Sequence, residues 1–222
     1  MKLHIGLFIV LMLGSTAVRA DDIEALVKQL KSPEVDMRRA AAKNLGDAGA
    51  EAKTAVNALA AALKDRDMFV RRFSAQALGS IGSDARPAAP ALGTALKDTK
   101  KEVGEAAAEA LGKIGGGAAA KPLAEVVKDK NAENVVRRKA AETLGKLGAD
   151  AKSAVPALTE VVKDQKTERE LRNAAVTALG DMGAAAKEAL PTLEGINKKQ
   201  KDRTFRKLLE QSIKKIQDSP QN

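Results

Sequence analysis

Side chains that could attack a carbonyl, shuttle a proton or hold a soft metal are nearly missing from this chain. It has one histidine, His4, and no cysteine, tryptophan or tyrosine. Carboxylates and amines are plentiful, and they recur at fixed spacings. An acid stands four positions before an arginine in Glu34 and Arg38, Asp67 and Arg71, Glu133 and Arg137, Glu168 and Arg172, and Asp202 and Arg206. On a helix such residues share one face, and the acid lies near the helix start, where the dipole favours it. The pairs could form a charged recognition strip. Exposed pairs are individually weak and matter as networks, so a structural ladder holding repeated units together is the expected role.

A second column is basic throughout: Lys31, Lys64, Lys97, Lys128, Lys163 and Lys198. Its chemistry would suit a polyanion, although lysine in a last helical turn is also what the macrodipole favours. Lys53, Arg86, Lys152 and Lys187 recur in a third column. The formal net charge of +9 is uneven. Residues 21–195 are nearly balanced, whereas residues 196–222 carry Lys198, Lys199, Lys201, Arg203, Arg206, Lys207, Lys214 and Lys215 against three acids. The candidate binding residues are therefore Lys64, Lys97, Lys128, Lys163, Lys198, Lys199, Lys201, Arg203 and Lys207.

Catalysis finds little footing in these residue types. No carboxylate cluster emerges from the spacing. The string "LGKIGGG" resembles a phosphate loop only superficially, because no strand precedes it and no Gly-Lys-Ser/Thr follows. No enzyme activity, cofactor or metal is expected.

Two kinds of segment position these residues. The start, "MKLHIGLFIVLMLGSTAVRA", has a basic residue, a short apolar run and a small-x-small ending. That is the pattern of a secretory signal peptide cleaved after Ala20, giving residues 1–20 as signal and a mature chain beginning at Asp21. A spanning helix needs about 20 apolar residues, and Lys2 and Arg19 bracket fewer. No later segment is apolar enough to cross a bilayer. An exported chain without cysteine has apolar packing alone to hold it.

From residue 21 the chain repeats. The anchor is a Leu-Gly-x-apolar-Gly string beginning at Leu45, Leu78, Leu111, Leu144 and Leu179, with a worn copy at Ile213 that keeps the apolar pair and loses both glycines. Apolar or small residues eight and four positions before each leucine and three after it, as in Val70, Ser74, Leu78 and Ile81, mark one helical face. The second glycine of each string suits a left-handed residue ending the helix. A second apolar pattern follows, with Pro90, Pro156 and Pro191 in its early part. A brief turn or kink is expected there before the second helix proper. Each unit reads as two antiparallel helices of about fourteen residues, which bury their apolar faces only by stacking on neighbours. "DDIEALVKQLKS" aligns with a second helix and "DRTFRKLLEQSIKKIQ" with a first. The array thus opens and closes on half-repeats.

The strings "FVRRFSAQALGSIG" and "VVRRKAAETLGKLG", each followed by an Ala-x-Pro-Ala-Leu and Lys-Asp pattern, resemble HEAT repeats, specifically the short bacterial type also found in phycobilisome lyases. The resemblance covers residues 21–217. It implies an all-α, right-handed α-α superhelix of about five helical pairs plus terminal half-repeats, with residues 218–222 as a short tail. It also implies second helices that line a concave, partner-receiving surface. Enzymes similar in architecture include deoxyhypusine hydroxylases, which bind metal through His-Glu pairs, and bilin lyases.

The third unit departs from its siblings. Lys100 and Gly104 replace both members of the acid–base pair, and the turn "GGGAAAKPL" is two residues short. It reads as a worn repeat, with a partner-facing or hinge-like break as the alternative. The leading functional expectation is an exported, monomeric, non-catalytic scaffold that binds another protein in the periplasm or cell envelope. A second is a binder of anionic surfaces through the basic C-terminal cap; export and scarce aromatics disfavour nucleic acid as its ligand. A third is an accessory or degenerate relative of bilin lyases.

Overall fold

The computed structural model describes residues 20–220. Apart from Ala20, the expected signal segment lies outside them. The described residues form twelve α-helices and no strand: α1 (Ala20–Gln29), α2 (Val35–Asp47), α3 (Val56–Ala62), α4 (Met68–Ile81), α5 (Ala89–Ala95), α6 (Lys101–Ile114), α7 (Gly117–Lys128), α8 (Asn134–Leu147), α9 (Val155–Lys163), α10 (Arg169–Asp181), α11 (Leu190–Lys199) and α12 (Arg203–Asp218). The even-numbered helices are the first helices of the repeat and the odd-numbered ones the second. The last helix runs to Asp218, one residue past the expected boundary.

The first helices have the expected length, but the second helices do not. Most are only 7 to 10 residues long. Their front halves are instead seven-residue 3-10 helices: Gly49–Ala55, Gly82–Ala88, Gly148–Ala154 and Gly183–Ala189. The predicted kink is therefore a defined element. Its cause lies in paired alanines three apart (Ala52 and Ala55, Ala85 and Ala88, Ala151 and Ala154, Ala186 and Ala189), all buried. With three residues per turn, a 3-10 helix places both on one side. Pro90, Pro156 and Pro191 then occupy the first turn of α5, α9 and α11, where the missing N–H leaves no gap.

Five of the six first helices end at or just before the second glycine of their string, at φ 54° to 74° in Gly49, Gly82, Gly115, Gly148 and Gly183, as expected; α12, whose string lost its glycines, does not. The first glycine has a separate role. A Cβ on Gly145 would stand 2.9 Å from the Cα of Ala178, and Gly79 meets Ala110 in the same way. The first helices α2, α4, α6, α8, α10 and α12 form one continuous layer, and at α4–α6, α8–α10 and α10–α12 they pack backbone to backbone, close enough that only glycine fits.

Second helices pack chiefly on the first helix that follows them, not on the one before. The hairpins are α1–α2, α3–α4, α5–α6, α7–α8, α9–α10 and α11–α12, joined by the 3-10 segments and, in one case, by a glycine turn. The half-repeats expected at the two ends are accordingly halves of complete hairpins. Between the layers runs one aliphatic core of Ala, Leu, Val and Ile, with Phe205 as its buried aromatic.

The third unit is tighter than its siblings and does not break. Gly115 and Gly116, at φ 71° and 72°, replace the 3-10 helix, so α7 starts at once and runs through Pro122. Gly104 is buried inside the unbroken α6. A Cβ there would lie 2.9 Å from Val136 Cγ2 and 3.0 Å from the Leu96 carbonyl. The space an arginine stem takes elsewhere is filled by Val136 of the neighbouring hairpin and by the Leu96 carbonyl of its own.

Candidate functional site

The turn inside each hairpin begins with a side chain that accepts a hydrogen bond from the backbone N–H two residues on. Ser32, Asp65, Asp98, Asp129, Asp164 and Gln200 all do so, at 2.8 to 3.2 Å. The acids of the predicted ladder stand next to these turns, at the N-caps of the first helices: Glu34, Asp67, Glu133, Glu168 and Asp202. Asp67 and Asp202 cap in full, each accepting from two backbone N–H groups.

The arginines do not turn to the acids four residues before them. Arg38 donates Nε and Nη2 to Asp65 at 2.7 and 3.0 Å, and Arg71 makes the same fork on Asp98 at 2.7 and 2.9 Å. Each fork crosses from one hairpin to the turn of the next. The remaining nitrogen of each arginine, Nη1, ties down its own turn, on the carbonyls of Ser32 and Pro33 and of Asp65 and Arg66. Arg39 in turn reaches Asp67 at 2.7 and 3.0 Å. Arg39, with its hydrogen bonds, and the amides of Val70 and Phe69 hold the Asp67 carboxyl down at about 2. Burial pushes the Asp65 and Asp98 carboxyls up, but Arg38 and Arg71 with the turn amides outweigh it, and both end below the ordinary range.

Further along, the pattern adapts to turns two residues longer. Arg137, almost fully buried, donates to the Val127 carbonyl and Asn134, and desolvation lowers its pKa. Arg172 donates to the Val162 carbonyl at 3.3 Å and lies 4.6 Å from the Phe205 ring. Arg206 stands only near Glu210, at 3.7 Å. Asp129, left without an arginine by Gly104, takes Lys97 at 3.0 Å, and Asp164 takes Lys130 at 2.8 Å. Arg169 pairs with Asp202, Lys139 with Glu109 and Lys215 with Asp181. Each of these ion pairs that spans more than one helical turn joins neighbouring hairpins.

The candidate lysines stand apart from this network. Lys64, Lys128, Lys163, Lys198, Lys199, Lys201, Arg203 and Lys207 are exposed. Of that column only Lys97 is engaged, on Asp129. Lys64 and Lys97 rim a shallow groove of about 400 Å3 between the ends of α3 and α5, floored by Arg71 and Asp98. A second groove, about 500 Å3, runs between α8 and α10 past Arg138, Asn173 and Asp181. The turn aspartates were missed by the sequence reading, yet Asp65, Asp98 and Asp164 follow the repeat as regularly as the arginines. Among the described residues no group of His, Cys, Asp or Glu is placed to hold a metal ion, and no helix is long and apolar enough to cross a membrane.

The family model for HEAT repeats matches residues 23–92, 84–135 and 128–214. The chain belongs to the HEAT-repeat family. Similar solved structures agree in fold. A designed armadillo repeat protein in complex with the peptide (KR)4 is 18% identical, with a TM-score of 0.59 over 88% of this chain and 99% of that one. Human deoxyhypusine hydroxylase is 20% identical, with a TM-score of 0.52 over 89% and 85%. The CpcE–CpcF complex of phycocyanin lyase from Nostoc is 20% identical, with a TM-score of 0.53 over 72% and 98%. No curated protein matches in sequence. These HEAT repeats have no histidine after His4, so the His-Glu donor set the resemblance ties to the hydroxylases has no counterpart here.

Proposed function

We propose that this HEAT-repeat chain is an exported, non-catalytic scaffold that binds another protein through the surface of its solenoid in the periplasm or envelope. The observation that carries it is the use made of the charged groups nearest the core. The guanidiniums of Arg38 and Arg71 and the turn aspartates are engaged in holding hairpin to hairpin, and that of Arg137 ties α8 to α7 within its own hairpin. What remains is an extended outer surface on two layers of short helices, the kind of area that repeat arrays present to partners. The test is affinity capture of the mature chain from an envelope fraction. A stoichiometric protein partner and an N-terminal Asp21 on the exported form are expected. Recovery of no such partner, or a chain still carrying residues 1–20, overturns the reading.

A second reading rests on the C-terminal end. Lys198, Lys199, Lys201, Arg203 and Lys207 are exposed there, and none forms an ion pair among the described residues. They suit a phosphate- or sulfate-bearing surface through counterion release. Changing Lys198, Lys199, Lys201 and Lys207 to glutamine should then abolish retention on heparin; unchanged retention rejects it.

A further inference from the structure

Arg39 on α2 has its carboxylate, Asp67, at the N-cap of the next first helix. Arg72 holds the same place on α4, but the N-cap it would reach is Lys100. No carboxylate among the described residues comes within 4 Å of the Arg72 guanidinium, Glu105 of α6 included. Its Nε is buried without a hydrogen-bond partner. The group is held instead by two aromatic rings, with its central carbon 5.3 Å from the Phe69 centroid and 5.1 Å from that of Phe73. The two rings lie 6.3 Å apart, and Arg39 approaches Phe69 from α2 at 5.0 Å. Met37 and Phe69, 44% and 38% exposed, are the large apolar side chains that stand open to solvent among the described residues.

Two of the three aromatics after residue 20 thus sit beside an arginine whose inward partner has been replaced by lysine. A guanidinium pre-oriented on phenyl rings keeps its planar fork for a carboxylate from outside. Arginine with aromatic side chains is also a composition enriched in the cores of protein interfaces. We propose that Phe69, Phe73 and Arg72 form a docking site for an extended segment of the partner protein that presents a carboxylate beside a bulky apolar side chain. The inference rests on the scaffold reading and names the chemistry of its partner. The carboxylate takes the place that Lys100 leaves vacant, and the apolar side chain covers Phe69.

The probe is a blocked peptide of three Gly-Leu-Glu triplets, set against Gly-Leu-Lys and Gly-Ser-Glu counterparts. The Arg72 Nε–Hε and phenyl signals are followed by NMR, and affinity by calorimetry. The Leu-Glu peptide should move those signals and bind at least about tenfold tighter than either counterpart, the loss expected on removing one anchor of an interface core. Arg72→Gln and Phe69→Ser should each remove that preference, while Lys199→Gln at the far end leaves it unchanged. Lys100→Asp is the sharper variant. It supplies Arg72 with an internal acid, as Asp67 does for Arg39, and should weaken the peptide while Arg72 itself stays in place. Equal binding of all three peptides, or full affinity in Lys100→Asp, overturns the site, as does a preference for heparin or anionic vesicles at Arg72. Capture of the envelope partner by Arg72→Gln at wild-type yield would overturn the docking site and leave the scaffold reading standing.

Discussion

Arg38 and Asp65, 27 residues apart, face each other through two parallel hydrogen bonds at 2.7 and 3.0 Å, with both side chains largely screened from water. The pair fixes how one hairpin sits on the next, because the arginine leaves a first helix and the aspartate opens a turn in the following hairpin. Removing one partner leaves the other in place without its counter-charge. Arg38→Gln should therefore cost about 3 kcal/mol, toward the lower end for broken buried pairs, read as a lower urea midpoint. The double variant with Asp65→Asn should recover part of that loss, since neither charge is then stranded.

The same pairing sets a pH window. The Asp67 carboxyl is held at about 2, below its value of about 3.9 in an unfolded chain. Asp65, Asp98, Asp129, Asp164 and Asp202 are shifted in the same direction. A depressed carboxylate contributes its stability above the unfolded pKa and loses it as pH falls through the folded one. The melting temperature, followed by circular dichroism at 222 nm, should fall steeply between about pH 4 and pH 2. Asp67→Asn keeps an acceptor for the cap but no titrating charge, so it should melt lower at pH 7 and show a shallower acid slope.

Helical glycines in different surroundings should respond in opposite ways to alanine. At Gly145 the added methyl meets Ala178 at 2.9 Å, and over-packing of this kind costs about 2 kcal/mol. Gly195 in α11 has nothing within 4 Å and no positive φ. There alanine should stabilise by about 0.5–1 kcal/mol through helix propensity. Chemical denaturation of the two single variants checks both signs.

Gly104→Arg tests whether the third unit is merely worn. If it were, restoring the consensus arginine would strengthen the ladder. Val136 and the Leu96 carbonyl already fill that space, so the variant should lose at least about 2 kcal/mol, in the range for over-packed cores. A rise in melting temperature would show that α8 can move aside.

The period, the helix-ending glycines and the N-cap acids were legible in the sequence because each is local. Leu78 and Gly82, or Asp67 and Phe69, carry their geometry within a few residues. The partners of the arginines were not legible. Glu34 looked like a sufficient mate for Arg38 on one helical face, whereas the actual mate, Asp65, becomes visible only when two repeats are stacked. Gly145 read only as part of the repeated string, because nothing local shows a helix at its back. The Arg72 cluster was hidden for a related reason. Its meaning depends on what Lys100 fails to supply from the next unit.

The backbone contact of Gly79 on Ala110 is repeated by Gly145 on Ala178, so these two junctions of the layer are alike. Splicing Leu45 directly to Gly79 would excise one whole module and present the same docking edge to α6. Copy number can therefore vary at this joint: losing one module shortens the reach of the array while the Gly79–Ala110 contact keeps its shape.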